Sequence, residues 1–354
     1  MSLSVAETRR DLFNRLFPEG VPALWCPPIT HYNAEGGIDA PRIEAHLTHL
    51  APHVGGLLAA GSTGDGWELD NERYRTVVRL DLQAAARLNF RVLIGALRPH
   101  VAEMQLLIAS WVRELAGPAP DQSLVDRLAA QHVAAFTICG AVGADLSAEV
   151  VASGLADILQ TGVPLSLYQL PQVTGYELPT ALLNALAAHF PTLLLFKDTS
   201  GKDAVAQSPN PLPGVHLVRG AEGDYLRWLG LAGGPYHGFL LSSANCFAPA
   251  LRGLIEAARK GDTTRAEELS RQVSSVMQAL FDVVKSVTGG NAFANANKAA
   301  DHFMAYGPQG NPARPPRLST GQPLPTEILR AAQQVLASHN LLPVHGYLDG
   351  SAGR

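Results

Sequence analysis

The stretch that decides the fold is Leu193-Leu-Leu-Phe-Lys-Asp-Thr-Ser-Gly201. Its four apolar residues follow the breaker Pro191 and predict a short buried β-strand, and the polar residues after Lys197 predict a turn. Lys197 therefore lies where a buried strand ends and a loop begins. Desolvation there lowers a lysine pKa and frees the amine as a nucleophile. A salt bridge, for example to Asp198, is the alternative interpretation, and this stretch alone leaves both open.

Apolar runs with the length of β-strands recur along the chain on both sides of this stretch. Helical patterns separate them, and the repeat length is about thirty residues, which is typical of parallel βαβ units. Eight units favour an α/β fold built as a closed (β/α)8 TIM barrel, with an open doubly wound sheet as the alternative. The predicted strands cover residues 21–26, 56–60, 92–96, 133–139, 164–169, 193–197, 215–219 and 238–242.

Helical patterns continue after the last predicted strand. They cover residues 248–260, 264–284, 291–306 and 325–339 and predict a C-terminal helical bundle. We therefore expect two domains. The first is a barrel with an N-terminal helix over residues 1–246, and the second is a helical domain with a tail over residues 247–354.

A glycine-rich turn, Gly61-Ser-Thr-Gly-Asp-Gly66, follows the second predicted strand. Glycines let backbone N–H groups turn toward a ligand, and Ser62 and Thr63 add hydroxyl donors, which suits a carboxylate or a phosphate. A tight strand–helix turn without a ligand is the alternative. The turn is not a Walker A loop, because no lysine follows it.

Tyr168 lies near the end of the fifth predicted strand. A barrel places its active site at the carboxyl ends of its strands, so we expect Tyr168 beside Lys197 on the neighbouring strand. A phenol next to an amine can pass a proton. An aromatic side chain that only closes the barrel mouth is the alternative.

Composition limits the classes of partner. A net charge of −4 gives no reason to expect a nucleic acid or a membrane as partner. Cys26, Cys139 and Cys246 are too few and too widely spaced for a disulfide framework, which fits a reducing compartment. The histidines and acidic residues show no ligand spacing, so we expect neither a metal nor another cofactor. With no apolar run of membrane length and no signal peptide, the cytoplasm is the expected location.

Three stretches, in this order, resemble the dihydrodipicolinate synthase / N-acetylneuraminate lyase family. The family has a G-[ST]-[ST]-G-E-like turn after strand two, a Y-N-x-P-x-x-T-G-like motif after strand five and a G-x-K-[DE]-x-[ST]-G motif at strand six. The counterparts here are Gly61–Asp65, Tyr168–Gly175 and Phe196–Gly201, and the resemblance covers about residues 20–310. It implies a class I aldolase or lyase with a Schiff-base lysine, and a homodimer or homotetramer.

The resemblance also implies roles for individual residues. Lys197 forms an imine with pyruvate or another small 2-oxo acid, and Tyr168 passes a proton. The residues implied in catalysis are Lys197, Tyr168 and Thr63. Those implied in substrate binding, by backbone or side chain, are Gly61, Ser62, Thr63, Gly220 and Leu240.

The sequence departs from the family on the side of the second substrate. Val173 stands where the synthases carry an arginine, and Cys139–Gly143 replaces their Pro-Tyr-Tyr. Asp65 and Gln169 replace the usual Glu and Asn. We therefore predict that the imine chemistry is kept but that the protein is not a true dihydrodipicolinate synthase.

Other functions stay open from the sequence. One is an imine-dependent dehydratase of a 2-oxo sugar acid, and another is a catalytically silent relative that binds small acids. A third is a phosphate-binding barrel that uses the Gly61 turn with Arg98, Arg219 or Arg227. The sequence does not identify the aldehyde or the direction of the reaction.

Overall fold

A computed structural model describes residues 3–117 and 121–349 of the chain. Its eight β-strands are all parallel and close into a barrel in chain order, with the first strand paired to the last. This confirms the predicted (β/α)8 barrel and excludes the open sheet. The strands are β1 (Leu24–Cys26), β2 (Gly56–Ala59), β3 (Arg91–Gly95), β4 (Val133–Ile138), β5 (Leu165–Gln169), β6 (Leu193–Asp198), β7 (His216–Arg219) and β8 (Gly238–Leu240).

Helices surround the barrel and continue beyond it. Those up to the end of the barrel are α1 (Val5–Leu16), α2 (Ala40–Leu50), α3 (Asn71–Leu88), α4 (Val101–Ala116), α5 (Leu124–Ala130), α6 (Ala148–Leu159), α7 (Pro171–Thr174), α8 (Thr180–His189) and α9 (Tyr225–Trp228). Those that follow β8 are α10 (Ala244–Arg259), α11 (Thr263–Val284), α12 (Ala292–Tyr306) and α13 (Thr326–Ser338).

Many helices begin at a residue whose side chain accepts a hydrogen bond from a backbone N–H of the first turn. Such a contact satisfies one of the donors that a helix start leaves unpaired. At α1 the contact is reciprocal, because Ser4 and Glu7 each bond to the backbone of the other. The capping residues are Ser4, Asp39, Asp70, Ser123, Ser147, Asp262 and Asn291.

The amino end of the barrel is closed by α1. Leu12, Leu16 and Phe17 pack against apolar residues of the barrel interior such as Leu58 and Leu195. The guanidinium of Arg9, which is buried, donates hydrogen bonds to backbone carbonyls of Ala187, Phe190, Leu193 and Pro213. A barrel filled at this end has room for a site only at its carboxyl end.

The start of one helix was predicted wrongly, and one short helix was missed. The helix predicted from residue 248 begins at Ala244 and is kinked at Phe247, because Pro249 cannot continue the hydrogen-bond ladder of a straight helix. Helix α5 was not predicted. Between β7 and β8 the helical structure consists of α9, followed by a 3-10 turn over Gly230–Ala232.

The C-terminal helices α10 to α13 pack against one another, and α12 also reaches the turn that follows β2. Lys298 on α12 forms a buried ion pair with Asp65 of that turn. The division into domains at residue 246 stays a prediction, and residues 350–354 of the predicted tail lie outside the described residues. Of the described helices, none is both long and apolar enough to cross a membrane.

Candidate active site

Lys197 is the central residue of the carboxyl end of the barrel. It lies on β6 directly opposite Tyr168 on β5, and its side chain is 3% exposed. Its Nζ lies 3.9 Å from the centroid of the Tyr168 ring and makes no hydrogen bond or ion pair with any of the described residues. Because burial disfavours the ammonium form, the pKa of Lys197 falls to about 7.

Asp198 does not form the predicted alternative salt bridge with Lys197. Successive side chains of a strand point to opposite faces, so the Asp198 carboxylate lies on the other side of β6. It accepts hydrogen bonds from the Gln169 side chain at 3.3 Å, the Ser200 backbone N–H at 2.8 Å and the Tyr236 hydroxyl at 3.3 Å. The carboxylate therefore joins the ends of β5 and β6 and leaves the lysine unpaired.

Gly220 gives the Lys197 side chain its space. A Cβ atom at Gly220 would lie 2.7 Å from Cε of Lys197 and 2.8 Å from Oγ1 of Thr199. Both distances are shorter than real Cβ contacts, so only glycine fits at this point without displacing the lysine.

Tyr168 is buried at 3% exposure, in a small apolar cluster with Leu97, Cys139 and Leu170. Burial raises the pKa of Tyr168, while the nearby hydroxyls of Thr199 and Ser62 act in the opposite direction. The Tyr168 hydroxyl is therefore a neutral phenol at neutral pH. It can donate or accept a proton next to the Lys197 amine.

The glycine-rich turn folds over the same end of the barrel. Ser62, Thr63 and Gly64 form a 3-10 turn in which all three residues are buried. The Ser62 hydroxyl accepts a hydrogen bond from the Trp67 indole at 3.0 Å, whereas the Thr63 hydroxyl bonds to none of the described residues. Ser62 also influences the pKa of Tyr168, so the structure brings this turn to the tyrosine and its neighbour Lys197.

Other contacts hold the turn from outside. The Asn291 side chain donates to the Ser62 carbonyl at 2.9 Å, and the Thr30 hydroxyl donates to the Gly64 carbonyl at 2.7 Å. A Cβ at Gly66 would lie 2.0 Å from the Ala60 carbonyl oxygen, so glycine is required there. Hydrogen bonds from two other parts of the chain therefore hold the backbone of the turn.

Glu222 is a residue of this site that sequence reasoning missed. Its carboxylate accepts hydrogen bonds from the hydroxyls of Ser242 at 2.6 Å, Ser243 at 2.7 Å and Tyr225 at 2.7 Å, and from the Ser243 backbone N–H at 2.9 Å. Its negative charge counteracts part of the fall in the pKa of Lys197. The sequence signal was available, since Glu222 is the first acidic residue after Gly220.

Leu240, on β8, is fully buried. Its side chain belongs to the apolar filling of the barrel, with Trp25, Leu58 and Val218. We predict that the backbone carbonyls of Gly220 and Leu240 line the substrate pocket. This stays a prediction.

The three arginines considered for a phosphate at the Gly61 turn make other contacts, and none of these contacts is with Ser62 or Thr63. Arg219 forms a buried two-pronged ion pair with Asp203 at 2.9 and 3.0 Å. Arg98 donates to the carbonyls of Gly66 and Leu97. Arg227 lies over the ring of Trp228 at 4.9 Å.

A sequence model of the dihydrodipicolinate synthetase family matches residues 155–288, which include β5, β6 and Lys197. A 4-hydroxy-tetrahydrodipicolinate synthase from Pseudoalteromonas atlantica is 26% identical over 256 residues, which are 72% of this chain and 80% of that protein. The chain is therefore similar to the dihydrodipicolinate synthetase family, most clearly over residues 155–288. Members of this family are class I lyases and aldolases.

Solved structures are similar to this chain at the level of the fold. YagE from E. coli K12, a prophage protein of the dihydrodipicolinic acid synthase family solved with pyruvate, has a TM-score of 0.72 and 22% identity over 90% of this chain and 99% of its own. KD(P)GA from T. tenax has a TM-score of 0.68 and 20% identity over 90% of this chain and 99% of its own.

Proposed function

We propose that this protein is a lysine-dependent lyase or aldolase that acts on pyruvate or another small 2-oxo acid. The observation that carries the proposal is the Lys197 amine, which is buried, unpaired among the described residues and lowered in pKa to about 7. An amine with this pKa is about half unprotonated at neutral pH, so it is available as a nucleophile. The Tyr168 phenol next to it supports the same chemistry.

In this proposal the Lys197 nitrogen attacks the 2-oxo carbon and the carbonyl oxygen leaves as water. The protonated imine draws electrons from the neighbouring bond, so a C3–C4 bond can break to release an aldehyde and leave an enamine. Tyr168 transfers the proton between the departing or arriving aldehyde oxygen and the site. Protonation of the enamine and hydrolysis of the imine return pyruvate and free Lys197, and the reverse sequence forms the bond.

In this proposal the carboxylate of the 2-oxo acid is bound by the turn after β2. Thr63, a residue that is 5% exposed, offers a hydroxyl that has no partner among the described residues, and Ser62 lies beside it. Hydrogen bonds to a charged group are worth about 1.5–3 kcal/mol each. Loss of the Thr63 hydroxyl is therefore expected to weaken substrate capture by about tenfold or more.

Proton exchange of pyruvate in D2O tests the imine and the enamine without knowledge of the aldehyde. An enamine exchanges the methyl protons of pyruvate with solvent, so the methyl signal in a proton NMR spectrum should disappear faster with the protein than without it. Lys197→Arg should remove the acceleration, and Tyr168→Phe should reduce it by about 10²–10⁴-fold. Exchange at the buffer rate in the unaltered protein would refute the proposal.

We also propose that the protein does not synthesise dihydrodipicolinate, although curated relatives at 22–26% identity are named 4-hydroxy-tetrahydrodipicolinate synthase. Val173 is an exposed aliphatic residue on the short helix α7, where the resemblance leads us to expect an arginine. A valine cannot replace the two-pronged hydrogen bonds of a guanidinium to a second carboxylate. Turnover of pyruvate with aspartate semialdehyde at about 1 s⁻¹ or more would refute this.

A further inference from the structure

A small polar cavity lies next to the glycine-rich turn, outside the barrel interior. Its volume is about 40 Å³, which exceeds the roughly 10–15 Å³ that one water molecule needs. It adjoins the turn directly, because lining residues Thr30, Tyr32 and Lys298 all bond to Gly64 or Asp65. The lining residues come from the loop after β1, from α2 and α12, and from residues 314–317.

Positive charge predominates in the lining of the cavity. Two acidic side chains, those of Asp39 and Asp301, face four cationic ones, and Asp65 is paired with one of the four, so the net charge is +1 with histidines neutral. The cationic residues are Arg42, Lys298, Arg314 and Arg317.

Some of these donors are only partly used. Lys298, 2% exposed, forms one hydrogen bond to Asp65 at 2.5 Å and lies 4.8 Å from the Tyr32 ring centroid, so its ammonium has N–H groups to spare. The Arg314 guanidinium makes no hydrogen bond or ion pair with any of the described residues. Arg317 donates one hydrogen bond to the Gly321 carbonyl at 2.8 Å.

A buried histidine adds a further donor to the lining of the cavity. His302 is 5% exposed, and its Nε2 accepts a hydrogen bond from the Asn311 backbone N–H at 2.9 Å. The proton of the neutral ring must therefore be on Nδ1, which bonds to none of the described residues. Burial lowers the pKa of His302 to about 4, so the ring is neutral at pH 7 and this tautomer persists.

We propose that this cavity is a binding site for a phosphate group. A phosphate has oxygen acceptors for the Lys298, Arg317 and His302 donors, and its negative charge is opposite in sign to the net charge of the lining. Arg314, at the exposed edge, supplies a guanidinium that has no other partner. The site differs from the proposed substrate site. It contacts the Gly61–Gly66 turn through Asp65, and Thr63 is not among its lining residues.

A phosphate bound in the cavity would be connected to the glycine-rich turn through Lys298. The bound phosphate shares this ammonium with Asp65, whose other carboxylate oxygen is buried without a hydrogen-bond partner. The cavity is therefore a second anion site joined to the turn by one ion pair. Binding itself needs no imine chemistry.

Isothermal titration calorimetry with inorganic phosphate tests the site. Ionic strength is held constant with sodium chloride, no 2-oxo acid is present, and the full chain is used. The unaltered protein should show saturable binding at one site per chain. Arg314→Gln should weaken it about tenfold or more, because a charged partner is lost while no existing contact is broken.

Two further variants make the location falsifiable. Arg113→Gln removes an exposed arginine of α4 outside the cavity and should leave phosphate binding unchanged, as should Thr63→Val in the proposed substrate site. Absence of saturable binding would overturn the proposal. So would equal weakening by Arg314→Gln and Arg113→Gln, or a loss of phosphate binding in Thr63→Val alone.

Glycerol 3-phosphate distinguishes the source of the phosphate group. An affinity equal to that for inorganic phosphate supports a site that recognises only the phosphate group. Tighter binding supports a phosphorylated metabolite as the ligand. No binding of either compound overturns the site.

Discussion

No ion pair or hydrogen bond from the described residues stabilises the ammonium form of Lys197. It is buried under the Tyr168 ring, and the described carboxylate that most affects it, Glu222, is already held by four hydrogen bonds. The free amine is therefore favoured at a pH where most lysines are fully protonated. This property is local, and single substitutions should change it.

Glu222→Gln should lower the pKa of Lys197 further. The negative charge of Glu222 favours the ammonium form, so its removal leaves burial less opposed. The rate of acetylation of Lys197 by acetic anhydride, followed by mass spectrometry against pH, should have its midpoint near pH 7 in the unaltered protein and at a lower pH in the variant. Glu149→Gln, on the exposed start of α6, is the matched control. A midpoint that does not move, or that rises, would contradict the electrostatic role.

Gly220→Ala should abolish or strongly reduce labelling of Lys197 while the chain still folds. The added methyl would overlap Cε of Lys197 at 2.7 Å, so the lysine must leave its position. Gly253→Ala is a suitable control, since the nearest atom to its new Cβ is a Leu269 methyl at 3.3 Å. Borohydride trapping with pyruvate measures the effect, and thermal unfolding checks the fold. Normal trapping in Gly220→Ala would show that the lysine position is not critical.

At the scale of secondary structure, α3 carries a buried carboxyl group without compensation. Asp81 is 1% exposed, and its Oδ1 has no hydrogen-bond partner among the described residues. Burial raises its pKa from 3.8 to about 8. The unfolded chain releases this proton near pH 4 but the folded chain keeps it. Asp81 therefore costs the folded state no stability below about pH 4. Its cost to the free energy of unfolding grows as the pH rises from about 4 to about 8.

Asp81→Asn should remove this pH-dependent loss of stability. The amide is neutral at every pH, so the variant should melt at least about 5 °C above the unaltered protein at pH 8 and at nearly the same temperature at pH 4. Asp157→Asn, at an exposed position of α6, should show no such difference. Calorimetry at several pH values measures both. A gap independent of pH would assign the effect to packing instead.

Most elements were predictable because their signals are local. Each barrel strand is a short apolar run next to a turn, and every predicted strand has a counterpart in the structure. Helix α5 was missed because its seven residues follow a Gly/Pro-rich stretch and are too few to show a helical period. The pairing of Lys197 with Tyr168 followed from strand order alone, since neighbouring strand ends meet in a barrel.

Contacts between distant parts of the chain were not predictable from one sequence. Asp65 and Lys298 are 233 residues apart, and neither residue suggests the other. The donors that surround Glu222 come from α9 and from the loop after β8, so only the closed barrel assembles them. The small cavity beside the turn likewise requires α12 and residues 314–317 to be packed against the barrel.

At the scale of the whole molecule we propose that the chain forms a homodimer or homotetramer, as the family resemblance implies. The structure describes one chain, and its exposed large apolar residues, such as Leu106 on α4 and Val344, do not by themselves identify an interface. Light scattering at micromolar concentration should give a mass of two or four chains. A monomer mass under those conditions would refute the proposal.

Reductive trapping asks directly whether Lys197 forms the imine. The protein is incubated with pyruvate and sodium borohydride, digested, and every lysine-containing peptide is examined by mass spectrometry. We predict a reduced pyruvate adduct on Lys197, kept in Lys202→Arg, which changes an exposed lysine of the following loop, and absent in Lys197→Arg. An adduct on another lysine, or none with pyruvate and a panel of 2-oxo acids, would show that Lys197 does not form the imine.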